Sequence, residues 1–423
     1  MPGNDRSAAT DVVVVGAGAA GLAAARRLLG AKRSVVVVEA CDRIGGRAYT
    51  ESHTFGFPFD HGCAWLQGPP GLPHVGLAEA TGFTLVDASE PDGLLFTPDG
   101  PAGAAEGDAY DAAAARITAA LGAAKEDVAA DTCVDLADPW AAAAATWVGA
   151  MDHGVDFADL STGDFGVYGP YAVNALIREG LGALVLRSAE GLPVRTGTTV
   201  TGIDWSGPGV TVHTTRGDLR ARACIVTVST GVLASGRIRF TPSLPLATQA
   251  AVDDLPMGLL VKIALATGGT RFGLADSTYL TRAITEPLPA PACFFFAFPA
   301  GWDLIVGFVG GSFGWELARA GEAAAIEFAL GELTGMLGGD VRRHVVQGCM
   351  TCWADDPLTL GAYAAARPGR HAARAVLAQP LGERVFFAGE ALGGAYPALM
   401  SGAHLSGEAA ADAVLGHLGR PAI

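Results

Sequence analysis

DVVVVGAGAAGLAAARRLLG, running from Asp11 to Gly30, is built almost wholly of valine, glycine and alanine and offers little for bond-making chemistry. Val12–Val15 is a β-branched run of the kind that forms a buried parallel strand. Gly16-Ala17-Gly18-Ala19-Ala20-Gly21 follows, and then the helix-forming run Leu22–Leu29. Strand, G-x-G-x-x-G and helix in that order form the context that lifts this motif above chance. Gly16 permits the tight turn, Gly18 lets the backbone approach a pyrophosphate, and Gly21 lets helix pack on strand. Ala19 and Ala20 stand at the helix N-terminus, where unpaired N–H groups and the positive end of the dipole favour phosphate. A second strand, Ser34–Val38, ends at Glu39 and Ala40, about 18 residues past Gly21, where an acid can take both hydroxyls of an adenosine ribose. Glu39 would repel a 2′-phosphate, so NADP is disfavoured; NAD and FAD both remain open at this point.

The next stretch, ACDRIGGRAYT (Ala40–Thr50), brings a second close approach of backbone at Gly45-Gly46, flanked by Arg43 and Arg47. A surface loop would account for one arginine near a glycine pair, but not for R-x-G-G-R directly after the ribose-binding acid. A guanidinium at Arg47 can reach the pyrophosphate from the side opposite the first glycine turn.

Composition narrows the partners. The 423 residues predict two domains, and with 50% hydrophobic and 17% charged residues a large buried core is expected. The balance of 28 basic against 43 acidic residues, a formal charge of −15, argues against nucleic acid or an anionic membrane. It is compatible with attraction of a cationic small molecule, and equally with solubility alone. Seven scattered cysteines do not make a disulfide scaffold, and Cys349-Met-Thr-Cys352 has no second pair to complete a zinc site, so reduced thiols, no metal and a cytoplasmic location are expected. Val12–Ala25 falls short of the ~20 apolar residues that span a bilayer. With Asp5 and Arg6 leading into the first strand and GHLGRPAI closing the sequence, neither a signal peptide nor a membrane anchor is expected.

The stretches DVVVVGAGAAGLAAARRL and VVVVEACDRIGGRAYT together resemble the N-terminal signature of the flavin amine oxidases, a superfamily with monoamine oxidases, polyamine oxidases, lysine-specific histone demethylases and many L-amino-acid oxidases. RVFFAGEALGGAYPALMSGAHLSGEAAADAV, near the other end, resembles the closing FAD segment of that family: a strand, Val385–Ala388, delivers Gly389-Glu390, and a helix begins near Gly402. The resemblance implies FAD as cofactor, with Glu390 near the ribityl–pyrophosphate region, Leu399 and Met400 near the flavin ring, and the backbone at Val200 touching the adenine. The implied fold is α/β: a Rossmann-like FAD-binding domain, discontinuous in sequence (1–70, 186–245 and 376–423), beside an α+β substrate domain on a mixed sheet (71–185 and 246–375). Gly191–Leu233 reads as strand-turn-strand material that completes the first domain, with turns at Gly207-Pro208-Gly209 and Arg216-Gly217. Asp108–Val148 is alanine-rich and mostly helical; Leu259–Ala266, Cys293–Phe298 and Asp303–Val309 read as strands and Gly321–Met336 as a helix.

Lys262 stands in the apolar strand LPMGLLVKIAL, where a buried charge is costly without a partner; the alternative is a lysine reaching back to solvent. By resemblance it holds a water beside the flavin N5. Trp353 and Tyr363, in CWADDPLTLGAYA, read alone as core aromatics; the family's matching segment packs the Trp near the flavin and makes the Tyr one wall of the substrate channel. Ala362 occupies the position where monoamine oxidases bond a cysteine to the flavin, which implies non-covalent FAD. Leu399 replaces the second tyrosine of the monoamine oxidase cage, Tyr396 lies three residues earlier, and Gln67 replaces a histidine common in polyamine oxidases, so no known specificity transfers. His61 and His153 read as structural. The expected reaction is hydride transfer from the α-carbon of a primary or secondary amine to flavin N5, giving an imine, then a carbonyl product, with O2 reduced to H2O2. The expected partners are that amine and O2, with a homodimer as the oligomer to test. An L-amino-acid oxidase would need a cation for the substrate carboxylate, for which Arg178, Arg271 and Arg319 are the candidates; a desaturase-like oxidoreductase and a non-catalytic flavin-binding module are the other rivals.

Overall fold

The computed structural model describes residues 10–89 and 92–419; Asp5, Arg6 and the last four residues of GHLGRPAI lie outside them. The opening segment forms strand β1 (Thr10–Val15), helix α1 (Ala19–Gly30) and strand β2 (Val35–Val38). β1 pairs in parallel with β2, and on its other edge with Gly217–Val226. Gly217–Val226 is the hub of an eight-stranded sheet. Its first half takes Val210–Thr214 as an antiparallel hairpin partner, while its second half takes Val385–Phe387 in parallel, at Cys224 to Val226. Val194–Arg195 extends the sheet beyond β2, and Val200–Asp204 and Arg239–Thr241 extend the hairpin side. Three segments distant in the chain thus join one sheet, and its parallel strands all end on the same side. The fold is α/β, with a Rossmann-like nucleotide-binding half.

A second, seven-stranded sheet runs in the order Gln347–Met350, Leu260–Ala266, Leu304–Gly310, Phe294–Ala297, Thr278–Arg282, Gly93–Thr97 and Gly100–Pro101. It is mixed because Thr278–Arg282 runs parallel to Gly93–Thr97 while its other pairings are antiparallel. Trp65–Gly68, Val173–Ile177 and Leu85–Asp87 make a small antiparallel sheet that sets Gln67 opposite Asn174. No helix among the described residues is long and apolar enough to cross a membrane.

The closing helix begins at Met400, close to Gly402 as expected. A Cβ on Gly402 would sit 1.8 Å from the Tyr396 carbonyl oxygen, so the residue is glycine because the first turn packs on backbone. The alanine-rich stretch is mostly helical, as expected, and divides into two helices, Ala104–Gly122 and Pro139–Thr146. Asp138 starts the second by accepting from the N–H groups of Trp140 and Ala141, with Pro139 at the first helical position.

The helix Met400–Leu418 crosses α1 closely enough that a Cβ on Gly407 would lie 2.1 Å from the Ala20 carbonyl oxygen. Backbone on backbone leaves no side chain able to move aside. Gly407→Ala is therefore expected to destabilise the protein by about 1–3 kcal/mol in urea unfolding. Gly416→Ala, on the same helix with nothing within 4 Å, should be neutral or stabilising by up to ~1 kcal/mol.

Candidate active site

In an open α/β sheet, ligands bind beyond the carboxyl ends of the parallel strands. Here those ends deliver Gly16, Glu39, Thr227 and Gly389 to one continuous cavity of about 610 Å³. Gly16 takes φ +102°, and a Cβ there would fall 2.5 Å from Thr227 Oγ1. Gly21 does not line the cavity; its Cβ would lie 1.9 Å from the Gly16 carbonyl oxygen, the helix-on-strand contact expected of it. Gly18 caps α1 without a side-chain hydrogen bond, and the first turn holds no acid, so the amides at Ala19 and Ala20 stand at an uncapped, positive helix end on the cavity wall.

The second glycine pair lies against the first. Gly45 N donates to the Ala17 carbonyl at 2.9 Å, and a Cβ on Gly46, at φ +58°, would sit 3.4 Å from Gly18 Cα. Glu39 is aimed by two backbone donors, Ala17 N on Oε2 and Cys41 N on Oε1, both at 2.8 Å, leaving lone pairs toward the cavity beside Ala40 and Val200. Arg43 donates to the Gly46 carbonyl at 2.8 Å and lies 4.1 Å over the Tyr49 ring. Arg47 Nη1 pairs with Glu390 Oε1 at 2.9 Å and donates to the Ala362 carbonyl at 2.8 Å, which joins the second glycine loop to the closing segment. Glu390 is buried and also accepts from Ala364 N. Leu399 and Met400 line the same wall.

Lys262 closes the far end. Leu260, Lys262 and Ala264 alternate with Val261 and Ile263 along the strand, so Lys262 shares the face of Phe308, its register partner. It is 7% exposed, which excludes a side chain reaching out to solvent. Its ammonium donates to the carbonyls of Asp60, at 2.9 Å, and Gly62. Burial lowers its pKa, and the Asp60 carboxylate works against that shift. Asp60 is itself pushed up by burial and steadied by Lys262, Thr50 and the N–H groups of Leu181 and Gly182. Trp353 Nε1 donates to the His61 carbonyl at 2.9 Å, and the Tyr363 hydroxyl donates to the Met151 carbonyl at 2.8 Å. Met257–Gly258 pairs with Tyr363–Ala364 and holds that ring at the cavity.

Of the remaining candidates, Gln67 lines the cavity and donates to Asn174 Oδ1, while Tyr396 turns away and donates to the Pro170 carbonyl. His61 lines the cavity with its ring on Glu51; His153 is buried with Nδ1 on the Val148 carbonyl. Arg178, Arg271 and Arg319 are absent from the cavity wall; Arg178 lies over Trp302, and Arg271 pairs with Asp276 and lies over Phe298. Cys349 and Cys352 are free thiols, and no His, Cys, Asp or Glu group among the described residues is placed to hold a metal. Sequence reasoning missed Asp60 and Asp152. Both stand in the same tripeptide, Asp-His-Gly (60–62 and 152–154), directly before the two histidines it singled out.

Residues 150–415 match the family described as flavin containing amine oxidoreductase, and residues 14–76 match an NAD(P)-binding Rossmann-like domain. Polyamine oxidase 4 of Oryza sativa subsp. japonica is 27% identical over 97% of this chain and 90% of that protein. Lysine-specific histone demethylase 1 homolog 1 from the same organism is 30% identical over 94% of this chain, which spans only 51% of that longer protein. A structure of wild-type putrescine oxidase bound to putrescine shares the fold, with a TM-score of 0.80 at 19% identity, covering 96% of this chain and 99% of that one. The chain belongs to the flavin containing amine oxidoreductase family. It is an FAD-dependent oxidoreductase. The cavity fits that cofactor: glycine loops where a Cβ would collide, an uncapped helix end for phosphate, and an oriented carboxylate for a ribose.

Because charge-assisted hydrogen bonds contribute about 1.5–3 kcal/mol, Glu39→Ala should weaken FAD binding by roughly 10- to 100-fold. Flavin absorbance per protein after dialysis reads this directly.

Proposed function

We propose that this chain oxidises a primary or secondary amine to an imine, with O2 as the final acceptor of two electrons and two protons, giving H2O2. Water then converts the imine to a carbonyl compound and ammonia or a smaller amine. The observation that carries this reading is the continuity of the cavity from the glycine loops at Gly16 and Gly45 to the chamber of Lys262, Trp353 and Tyr363. Relatives named polyamine oxidase and histone demethylase, and a fold shared with putrescine oxidase, point the same way.

FAD, when bound, supplies the acceptor for a hydride equivalent from the substrate α-carbon. The chain's own part is to bind and orient. Gly16, Gly18, Ala19, Ala20, Gly45 and Gly46 offer backbone to the pyrophosphate, with Arg43 and Arg47 as counter-charge. Glu39 takes the adenosine ribose, Ala40 and Val200 flank the adenine, and Gly389, Glu390, Leu399, Met400 and Trp353 hold the flavin half. Ala362 has no nucleophilic atom, so the cofactor is held without a covalent bond.

Tyr363 and the neighbouring aromatics make an apolar wall that strips water from the amine and favours its neutral form, the one whose lone pair assists loss of the α-hydrogen. Lys262 spends two of its three N–H donors on the carbonyls of Asp60 and Gly62, and the third is left to hold a water at the reacting end. The absence of Arg178, Arg271 and Arg319 from the cavity favours an amine over an α-amino acid, since none of them can meet a carboxylate there.

Purified yellow protein mixed with amines is expected to bleach without air and to release H2O2 in air. Bleaching by α-amino acids alone would favour the first rival, and bleaching by neither class would contradict the reading. Lys262→Met should keep its flavin and lose on the order of 10²-fold in kcat by oxygen consumption, the usual scale for a lost proton-handling group.

A further inference from the structure

We infer that Asp152 is a second cation-binding position in the cavity, so that the substrate carries a second positively charged nitrogen, as a diamine or longer polyamine does. The inference rests on the amine-oxidising reading above and names the substrate class for it.

Asp152 closes a turn of π-helix, Trp147–Asp152, that continues the helix Pro139–Thr146. In an α-helix, residues five apart point ~140° away from each other, whereas the i→i+5 bonds of a π-turn bring them toward one face. Trp147, Met151 and Asp152 accordingly all line the cavity. The Tyr363 hydroxyl is bonded to the Met151 carbonyl, which sets the carboxylate one residue from the aromatic wall. Tyr279 meets Trp147 edge-on at 5.2 Å and lines the same chamber. A carboxylate among aromatic rings is the chemistry that receives an alkylammonium, by charge and by attraction to the ring faces.

The carboxylate is exposed to the cavity, which itself lies inside the fold, and it has no hydrogen-bond or ion-pair partner among the described residues. Burial is the sole cause that moves its pKa, which is pushed up to about 7. The titratable groups facing it are phenols: Tyr110 from the helix Ala104–Gly122, Tyr168 and Tyr171 from the following loop, Tyr279 from the mixed sheet and Tyr363 from the opposite wall. No lysine or arginine among the described residues offsets it, and the charges that act on Lys262 are Asp60 and Cys63, not Asp152. A carboxylate exposed on the cavity wall without a counter-charge is free to pair with a cation that enters, through charge-assisted hydrogen bonds. A substrate ammonium favours the ionised form, so attraction for a second charge grows as pH rises through about 7 and fades below it.

The test compares linear α,ω-diamines with n-alkylamines of equal carbon count, using the FAD-loaded enzyme. In the wild type, the best diamine should exceed its monoamine in kcat/KM by roughly 10- to 100-fold, chiefly through KM. That ratio should collapse toward one in Asp152→Asn and be partly restored in Asp152→Glu. In the wild type alone, which needs no variant to fold, the ratio should rise with pH through about 7. A ratio near one in the wild type, or one unchanged in Asp152→Asn, overturns the inference while amine oxidation stands. No flavin bleaching by any amine overturns both.

Discussion

The close approach of two glycine loops is the constraint on which the molecule depends. Gly18 and Gly46 lie almost in contact, Gly45 is bonded to Ala17, and Gly21 and Gly407 let helices rest on bare carbonyls. A side chain at any of Gly16, Gly21, Gly45 or Gly407 would collide with a neighbouring atom, backbone in all but the first. Packing of that kind yields a rigid floor rich in backbone donors and free of side chains. The same floor explains why the chain must return twice: Gly217–Val226 pairs with β1 on one edge and with Val385–Phe387 on the other, so the cavity is complete only when the last fifty or so residues have joined the first.

From that floor the cavity runs to a region of opposite character. Lys262 stands on a sheet strand whose other residues are apolar, and the fold satisfies it with two carbonyls and the nearby Asp60. Those two hydrogen bonds tie the mixed sheet to the segment after Arg47, and Arg47 in turn holds Glu390. The two large sheets are therefore joined through polar and charged groups between them, where losing one partner strands the other. Asp152 differs in kind, a carboxylate the protein itself leaves unanswered.

Sequence made the cofactor end readable because each backbone demand there has a residue signature: glycine where a Cβ collides, an acid at a strand end, arginines beside a glycine pair. Lys262 was legible for a related reason, a charge standing in an apolar strand. Asp60 and Asp152 carried no such mark, since an aspartate in a polar-looking tripeptide does not announce which wall it will face. The strands Val173–Ile177 and Thr278–Arg282 were hidden likewise; they are short, and their placement depends on partners far along the chain. Propensity records local demands, whereas a cavity is assembled from distant ones.

The most direct test of the central claim is reconstitution of flavin-stripped protein with FAD, FMN and NADH in parallel, followed by absorbance and thermal melting. The account predicts that FAD alone restores a stoichiometric yellow complex and raises the melting temperature, because Glu39 and the paired glycine loops grip the adenosine diphosphate portion that FMN lacks. Uptake of FMN as tight as that of FAD, or a protein that stays colourless with both, would contradict it.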